Sequence, residues 1–300
     1  MPKVMVFTPT WLKADGQLAM RPETRASVEA QAFDGELVWE IGTHNPWPGQ
    51  SHRNVLAQFA RGRELFLASD ADALLTFEHD MTMPADAVQQ LWDATERPWA
   101  GGAKPLVAYA PYLLRHGSWV LNTWEYIGEH ALGESLTLYP EKLALARKQG
   151  VVRVCGCGNG CTLFRREAVE RFPFRDGGGQ QFSPDIPFAM DALYAGVVSV
   201  AVMGVECDHF DGELRLRAFG GAMSDTVEVE AVRDVTVLDG RQTRRLDAGQ
   251  RYALLRSLAS DLLRAGYVRE IEPPAPETAA VEAPERAVAP RPGKRMKGGL

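Results

Sequence analysis

Two carboxylates stand one residue apart where an apolar segment of the sequence ends. The segment is Ala73-Leu74-Leu75-Thr76-Phe77, and Glu78-His79-Asp80 follows it directly. An apolar strand that delivers two carboxylates into an open crevice suits a hard divalent cation, because Mg²⁺ and Mn²⁺ prefer oxygen ligands and commonly bridge carboxylates to a diphosphate. The pattern is also compatible with an ordinary strand end whose acidic side chains point into water.

A histidine occupies a similar place much later in the chain. Asp208-His209 follows another apolar segment, and the imidazole could be a metal ligand or a surface side chain. Its significance comes from the order of three features along the chain. The strand-end carboxylates come first, a glycine-rich loop second and the strand-end histidine third.

The first hundred residues alternate between strand-like and helix-like segments. We predict strands at 4–7, 36–41 and 73–77, and helices at 21–31, 54–64 and 84–95. This alternation is typical of an α/β protein with a parallel sheet and crossover helices. Because ligands of such sheets lie beyond the carboxyl ends of the strands, we expect residues 8–10, 40–44 and 78–80 to meet in one crevice.

The rest of the chain is less regular, and the whole chain divides into three predicted parts. A main domain is predicted over 1–222, with further strands at 107–114, 151–154, 162–164 and 197–202 and helices at 141–149, 167–171 and 185–195. A small module is predicted over 223–272, with strands at 227–238, 241–246 and 267–271 and a helix at 252–265. Residues 273–300 are rich in Pro, Ala and Glu, and we expect them to be disordered.

The composition excludes some classes of protein. The chain has 300 residues, 45% of them hydrophobic and 24% charged, with a net charge of -6. That charge argues against a general nucleic-acid binder. No stretch reaches about 18 apolar residues, so we expect no membrane anchor and a cytoplasmic protein.

Four cysteines lie in the second half of the main domain. They are Cys155, Cys157, Cys161 and Cys207, and the first three are spaced C-x-C-x3-C. Zinc sites usually show C-x2-C pairs, and a fourth ligand would have to lie far along the chain. The glycines between these cysteines favour a tight turn with small buried thiols, and a zinc site is the alternative.

Several motifs resemble, in order, those of the family 2 glycosyltransferases and their GT-A relatives. They are Arg53-Asn54 before a helix, the run DALLTFEHD, the stretch 161–166, the stretch 184–189 with Gly196, and Cys207-Asp208-His209. The resemblance covers roughly residues 3–212. It implies a Rossmann-like half that binds a nucleotide, and a D-x-D type motif that holds a metal ion at a strand end.

The resemblance also implies roles for individual residues. Asp80 would be the main metal ligand and His209 a further one, for Mn²⁺ or Mg²⁺. Glu78 stands where the family has the first aspartate, and this departure leaves open whether Glu78 contacts the metal, the ribose or neither. The donor nucleotide and its diphosphate would contact Thr8, Pro9, Thr10, Glu40 and Arg53. Asp185 matches the general base of inverting members, and could instead be a helix-start carboxylate stabilised by the helix dipole.

The function implied is transfer of a sugar from a nucleotide-diphospho-sugar to a hydroxyl of a glycan, a protein or a modified base. Inverting and retaining stereochemistry both stay open. Arg115 and His116 could contact the acceptor or the diphosphate. Trp119, Trp124 and Tyr126 could stack on a sugar, although a core role is also compatible with these aromatic residues. The small module faintly resembles modules of bacteriophage proteins, which suggests a phage origin.

Two alternatives from other classes remain. A sugar nucleotidyltransferase would share the fold and the metal, but Thr8-Pro9-Thr10-Trp11 is unlike the G-x-G-T-R loop expected after its first strand. A non-catalytic binding or structural protein could also keep this fold. The presence of Glu78, Asp80, Asp185 and His209 together favours the enzyme, since a protein without activity would have had no reason to keep all four.

Overall fold

The computed structural model describes residues 1–99, 101–114, 120–177, 183–212, 214–217, 226–239, 242–255, 259, 262–263 and 265–271. Its centre is a mixed nine-stranded sheet with the order β2-β1-β3-β9-β5-β10-β8-β6-β7. The strands up to residue 217 are β1 (Lys3–Pro9), β2 (Glu36–Gly42), β3 (Ala73–Phe77), β4 (Met81–Thr82), β5 (Val107–Tyr109), β6 (Thr123–Tyr126), β7 (Leu132–Ser135), β8 (Val151–Cys157), β9 (Cys161–Arg165), β10 (Ser199–Val202), β11 (Asp208–Asp211) and β12 (Leu214–Arg217).

Helices cover the sheet on both faces. They are α1 (Pro22–Glu29), α2 (Ser51–Leu67), α3 (Ala87–Glu96), α4 (Pro140–Gln149), α5 (Arg166–Arg171) and α6 (Asp185–Tyr194), with a 3₁₀ turn at Leu136–Leu138. Gly150 and Gly196 follow α4 and α6 with φ of 77° and 73°, a conformation that favours glycine and ends a helix. The α/β class expected from the sequence is therefore confirmed.

Two hydrophobic clusters lie on opposite faces of the central sheet. In β1, Met5 and Phe7 belong to one cluster, whereas Val4 and Val6 belong to the other. This alternation follows from the two-residue period of a strand, and burial on both faces explains the continuous apolar run. Phe59 and Phe66 of α2 pack into the first cluster, and Leu91 of α3 packs into the second.

The order and direction of the strands place three strand ends together. β1 pairs in parallel with β2 on one side and β3 on the other, so Pro9, Gly42 and Phe77 all end at the same edge. β9 then lies antiparallel between β3 and β5, with Cys161 opposite Phe77. The crevice expected beyond residues 8–10, 40–44 and 78–80 therefore lies at this edge.

A second, three-stranded sheet with the order β12-β11-β4 adjoins that edge. β4 begins immediately after Glu78-His79-Asp80, and β11 pairs antiparallel with it. His209 of β11 lies opposite Met81 of β4. This pairing carries the late histidine to the early carboxylates, although about 130 residues separate them in the chain.

The later strands correct two sequence predictions. Residues 227–238 form two strands, β13 (Thr226–Ala231) and β14 (Val235–Asp239), and β14 pairs with β15 (Gln242–Leu246) in the hairpin expected at Asp239-Gly240. The helix predicted over 252–265 is wrong at its start. Residues 251–255 form β16 (Arg251–Leu255), and the described helical residues are 259 and 262–263.

The reason for the second error is the pairing of β13. This strand lies between β16 and β17 (Val268–Glu270), and β16 satisfies the backbone groups along one of its edges. Tertiary pairing therefore overrides the helical spacing of the apolar residues. Val229, Leu246 and Leu262 belong to a small hydrophobic cluster of their own. The boundary at 222–223 stays a prediction, and the tail 273–300 lies outside the described residues.

Within the part of the chain that the structure describes, no helix is long and apolar enough to cross a membrane.

Candidate functional site

Glu78, Asp80 and His209 form one cluster at the carboxyl edge of β3. His209 Nε2 lies 3.7 Å from Asp80 Oδ1 and 3.9 Å from Glu78 Oε2. One ligand atom from each of the three residues lies within 4.8 Å of the other two. These separations exceed a hydrogen bond and suit ligands placed about 2.1 Å from one shared cation. Among the described residues, this is the one group of three or more His, Cys, Asp or Glu with that geometry.

The imidazole of His209 is oriented for ligation through Nε2. Its Nδ1 atom lies 2.8 Å from the carbonyl oxygen of Leu113. A carbonyl only accepts, so Nδ1 carries a hydrogen; when the ring is neutral, Nε2 has the lone pair and faces the carboxylates. Metal-binding histidines commonly have their second nitrogen bonded to a backbone carbonyl in this way.

The backbone of Glu78-His79-Asp80 is held by three separate segments. The amide of Glu78 donates to the carbonyl of Gly160 at 2.8 Å, and the amide of Phe210 donates to the carbonyl of Asp80 at 2.9 Å. The carbonyl of His79 accepts from the amide of Arg21 at 3.1 Å and from the hydroxyl of Thr24 at 2.9 Å. The backbone that carries the two carboxylates is therefore held in place.

Two of the three cluster residues are largely shielded from water, and the side chain of Glu78 is 26% exposed. Asp80 is 7% exposed and His209 is 3% exposed. The ring of Tyr112 packs edge-on against the imidazole of His209 at 5.3 Å, and Trp11 packs similarly against His79 at 4.6 Å. Two carboxylates close together in a poorly hydrated site repel each other, and a cation between them relieves that repulsion. The site is thus electrostatically suited to a divalent cation.

The glycine-rich loop between β8 and β9 lies against Tyr112. The phenol oxygen of Tyr112 accepts a hydrogen bond from the amide of Gly160 at 3.1 Å. A Cβ added at Gly158 or Gly160 would lie 2.5 or 2.7 Å from Tyr112 atoms, so only glycine fits at either position. Burial raises the pKa of the Tyr112 phenol, and the charges of Glu78 and Asp185 raise it further.

The four cysteines are free, buried and committed to other contacts. Cys155 Sγ accepts from the amide of Gly133, Cys157 Sγ lies 3.1 Å from the hydroxyl of Thr123, and Cys161 and Cys207 contact each other. No cysteine belongs to a metal-type cluster in the described part of the chain. The geometry favours buried thiols, the interpretation preferred from the sequence.

The residues expected to contact the nucleotide line the ends of β1 and β2. Thr8 is buried and accepts from the indole of Trp39 at 3.0 Å, and Pro9 lies opposite Gly42. The amide of Thr10 donates to the carbonyl of Gly42, and Glu40 is half-buried near the end of β2. Thr8, Pro9 and Thr10 are buried, and the contact of all four residues with a nucleotide stays a prediction.

Arg53 is held by contacts with residues near it in the chain. It lies in the first turn of α2, where its guanidinium donates to Gln50 at 3.0 Å and sits 5.7 Å from the ring of Trp47. No contact recorded between described residues joins it to Glu78, Asp80 or His209. The structure therefore does not bring Arg53 to the cluster, and its role toward a diphosphate stays a prediction.

Asp185 begins α6 and is half-buried. Its carboxylate accepts from the amide of Ile186 at 3.2 Å. Burial raises the pKa of this carboxyl above its ordinary value, against the opposing effect of hydrogen bonds from Ser183 and from backbone amides. Its charge, like that of Glu78, raises the pKa of the Tyr112 phenol.

The pair Arg165-Arg166 has a structural role at the opposite edge of the sheet. Arg166 donates to the carbonyls of Ser69 and Ala71 at 2.8 and 2.6 Å, and Arg165 pairs with Glu96 at 2.6 Å. These residues line a depression of about 340 Å³ that also contains Lys104, and Lys104 pairs with Glu96 as well. The charged side chains of this depression already pair with one another. It is therefore a poorer candidate for the functional site than the cluster of Glu78, Asp80 and His209.

The remaining acceptor-side predictions have mixed outcomes. Arg115, His116 and Trp119 lie outside the described residues. The ring of Trp124 packs where a Cβ at Gly156 would be, and Tyr126 lies under the guanidinium of Arg153 at 3.8 Å. Both described aromatics therefore have packing partners within the protein.

Sequence reasoning missed three residues that shape the site. They are Thr24, Tyr112 and Leu113, which position His79, the glycine-rich loop and His209. The closely spaced glycines 158 and 160 indicated that something packs against that loop. No feature of the sequence indicated that the carbonyl of Leu113 would hold the histidine.

Fold and site together define an α/β protein with a buried carboxylate–histidine cluster at the carboxyl edge of its parallel strands. No protein-family model matches the chain, and no curated protein matches it.

Several solved structures are similar to the chain, with low sequence identities and low TM-scores. A197 from STIV is 17% identical with a TM-score of 0.46, over 73% of this chain and 91% of that one. Residues 1–349 of S. aureus TarS are 9% identical with a TM-score of 0.39, over 67% of this chain and 60% of that one. The same TarS segment in complex with UDP is 10% identical with a TM-score of 0.37, over the same shares.

Proposed function

We propose that this chain is a metal-dependent glycosyltransferase of the GT-A type, which transfers a sugar from a nucleotide-diphospho-sugar to a hydroxyl acceptor. The observation that carries the proposal is the cluster of Glu78, Asp80 and His209 at the carboxyl edge of β3. That edge is where parallel sheets bind their ligands, and the cluster has the donor set of a divalent-cation site.

The residues present fit a Mg²⁺ or Mn²⁺ ion. Glu78 and Asp80 supply carboxylate oxygens, and His209 supplies Nε2 because Nδ1 is bonded to Leu113. When bound, such an ion would neutralise the charge that develops on a departing nucleoside diphosphate. The family's first aspartate is a glutamate here, and the geometry supports Glu78 as a ligand.

Asp185 supports an inverting reaction. As general base, its carboxylate takes the proton of the acceptor hydroxyl while that oxygen forms a bond to the anomeric carbon of the sugar. The bond between that carbon and the diphosphate oxygen breaks, and its electron pair leaves with the diphosphate. A pKa raised by burial makes the carboxylate a better base than an exposed aspartate.

The nucleotide would lie across the ends of β1 and β2. Thr8, Pro9, Thr10 and Glu40 lie at or near these strand ends, and they would bind the base and the ribose. Arg53 would meet the diphosphate only after a change of its contacts with Gln50 and Trp47. The acceptor class and the phage origin have no support beyond the sequence.

Donor hydrolysis tests the proposal directly. The purified protein is incubated with UDP-, GDP- and TDP-sugars in Mn²⁺ or in EDTA, and released nucleoside diphosphate is measured. We expect Mn²⁺-dependent release from one donor, reduced at least 100-fold in Asp80→Ala.

The control is Asp208→Ala, which removes a neighbouring buried carboxylate that is paired with Arg215 instead of belonging to the cluster. Silence across the panel, with no Mn²⁺-dependent nucleotide binding by calorimetry, would reject the enzyme in favour of a non-catalytic binding protein. Release that survives Asp80→Ala would reject the metal site.

A further inference from the structure

Asn159 carries a buried side-chain amide that the described protein leaves unsatisfied. The residue is 4% exposed, and neither Nδ2 nor Oδ1 has a hydrogen-bond partner among the described residues. An amide that offers two donors and an acceptor is costly to bury in this state. Such a group beside a candidate site needs a partner, which a water molecule, an ion or a ligand can supply.

A neighbouring asparagine shows what a structural amide looks like in this place. Asn122 is 1% exposed, its Oδ1 accepts from the amide of Tyr112 at 3.1 Å, and its Nδ2 donates to the carbonyl of Gly158 at 3.4 Å. Asn122 therefore holds the glycine-rich loop against Tyr112. The side chain of Asn159 contributes none of the recorded contacts that hold the loop.

The backbone of Asn159 is fixed beside the cluster of Glu78, Asp80 and His209. Its carbonyl accepts from the hydroxyl of Thr76 at 2.6 Å, and the carbonyl of the next residue, Gly160, accepts from the amide of Glu78 at 2.8 Å. The amide group is thus attached to a short loop that is bonded to the strand end carrying Glu78. A side chain on so well held a backbone is suited to selective recognition.

We infer that Asn159 binds hydroxyl groups of the sugar carried by the donor; this inference rests on the proposed function. If the cluster holds the diphosphate through its cation, the sugar attached to that diphosphate lies next to the cluster, where Asn159 is. An amide both donates and accepts, and so does a hydroxyl. A bare phosphate is a poorer match, because it would meet the amide oxygen and the charges of Glu78 and Asp80.

Asn159→Ala tests the inference by separating recognition of the sugar from recognition of the nucleotide. Binding of the free nucleoside diphosphate in Mn²⁺ is measured by calorimetry, beside binding of the preferred nucleotide-sugar and of its epimers at single hydroxyls. We expect unchanged affinity for the diphosphate, and a preference among epimers reduced at least fivefold. Asn159→Ser serves as a second variant, smaller and still polar, with the same expected loss.

Asn122→Ala is the matched control, since it removes an equally buried amide whose bonds are all to the protein. We expect it to lower the melting temperature, whereas Asn159→Ala leaves that temperature unchanged or raises it.

If the native protein and Asn159→Ala discriminate epimers equally while both bind the diphosphate, the inference is wrong and the proposed function stands. If both Asn159 variants fail to fold, the amide is structural and the inference is also wrong. If the native protein binds no nucleotide in Mn²⁺, the proposed function fails first and the inference fails with it.

Discussion

The hydroxyl of Thr24 donates to the carbonyl of His79 at 2.9 Å, which joins the buried side of α1 to the loop between the two carboxylates. Thr24 is fully buried and touches none of the proposed ligands through its own side chain in any recorded contact. It is therefore a positioning residue, whose effect on a metal passes through the main chain of His79.

Replacing this hydroxyl by a methyl group in Thr24→Val should weaken the metal site. We expect Mn²⁺ affinity to fall about tenfold, because groups that orient ligands typically contribute 10–100-fold to affinity. Stability should fall by about 1 kcal/mol, the usual cost of one lost hydrogen bond. Calorimetric titration with Mn²⁺ measures the first effect, and denaturant unfolding measures the second.

Thr95→Val is the matched control for that comparison. Thr95 is also buried and donates to a backbone carbonyl, that of Trp92 at 2.7 Å, and it accepts from Arg165 at 3.3 Å, but it lies in α3 away from the cluster. Thr95→Val should lose at least as much stability as Thr24→Val, and only Thr24→Val should lose Mn²⁺ affinity. Equal Mn²⁺ affinities would show that the Thr24 bond does not position the cluster.

The raised pKa of Asp185 gives a prediction about stability and pH. A carboxyl whose pKa is higher in the folded than in the unfolded state stabilises the fold at pH below its ordinary value of 3.8, and that contribution is lost as pH rises through the folded pKa. Asp185→Asn should therefore raise the melting temperature at pH 7, and the gain should shrink toward pH 4. Sugar transfer should be abolished at every pH.

Asp191→Asn, on the same helix, is the control with the opposite sign. Its carboxylate pairs with Arg175 at 2.7 Å, so the substitution removes a favourable ion pair and should not raise the melting temperature at pH 7. Melting curves between pH 4 and pH 8 compare the two variants. A destabilised Asp185→Asn at pH 7 would mean that the charged carboxylate is stabilised in the fold.

Gly160→Ala should damage both stability and the metal site. The added Cβ would lie 2.7 Å from the ring of Tyr112 and 2.8 Å from Sδ of Met81, and the displaced loop carries the carbonyl that binds the amide of Glu78. We expect a loss of about 1–3 kcal/mol, as for other overpacked sites, and weaker Mn²⁺ binding.

Gly204→Ala is the corresponding control. An added Cβ there would meet only Oε1 of Gln90, at 3.1 Å, and this flexible side chain can move. The control should bind Mn²⁺ like the native protein and unfold at nearly the same denaturant concentration. If Gly160→Ala also binds Mn²⁺ and unfolds like the native protein, the close approach of Gly160 to Tyr112 is needed neither for stability nor for the metal site.

The four cysteine thiols should be unreactive in the folded protein. All are buried, and burial raises the pKa of the Cys157 thiol, so the reactive thiolate is scarce. A disulfide reagent should label them slowly in the native protein and should label all four quickly in guanidinium. Stoichiometric zinc in the purified protein, released when the thiols are modified, would support the zinc alternative instead.

The sequence predicted best the elements that carry a clear local signal. β3 and α4 agree with their predictions to within one residue, because continuous apolar runs and a terminal glycine mark them clearly. β6 and β7 were missed, since their half-exposed residues show no alternation of apolar and polar side chains. The helix start predicted at residue 252 is wrong, because this segment pairs with β13 and forms the strand β16.

The meeting of Glu78, Asp80 and His209 could be anticipated from the order of motifs, since strand ends share one edge of a sheet. The contacts that orient these three side chains could not be predicted from the sequence. No residue type indicates that the backbone carbonyl of Leu113 binds His209, because every residue carries a backbone carbonyl. The unsatisfied amide of Asn159 is equally invisible in sequence, because it depends on what the loop does not contact.

The insertion of β9 between β3 and β5 has a consequence for synthesis of the chain. β3 and β5 precede β9 in sequence, so both must wait with an open edge until residues 161–165 have left the ribosome. Open strand edges promote association between chains, and pairings distant in sequence form slowly. A nascent chain that stalls near residue 150 would therefore expose the unpaired edges of β3 and β5, and truncations in this region should accumulate as aggregates.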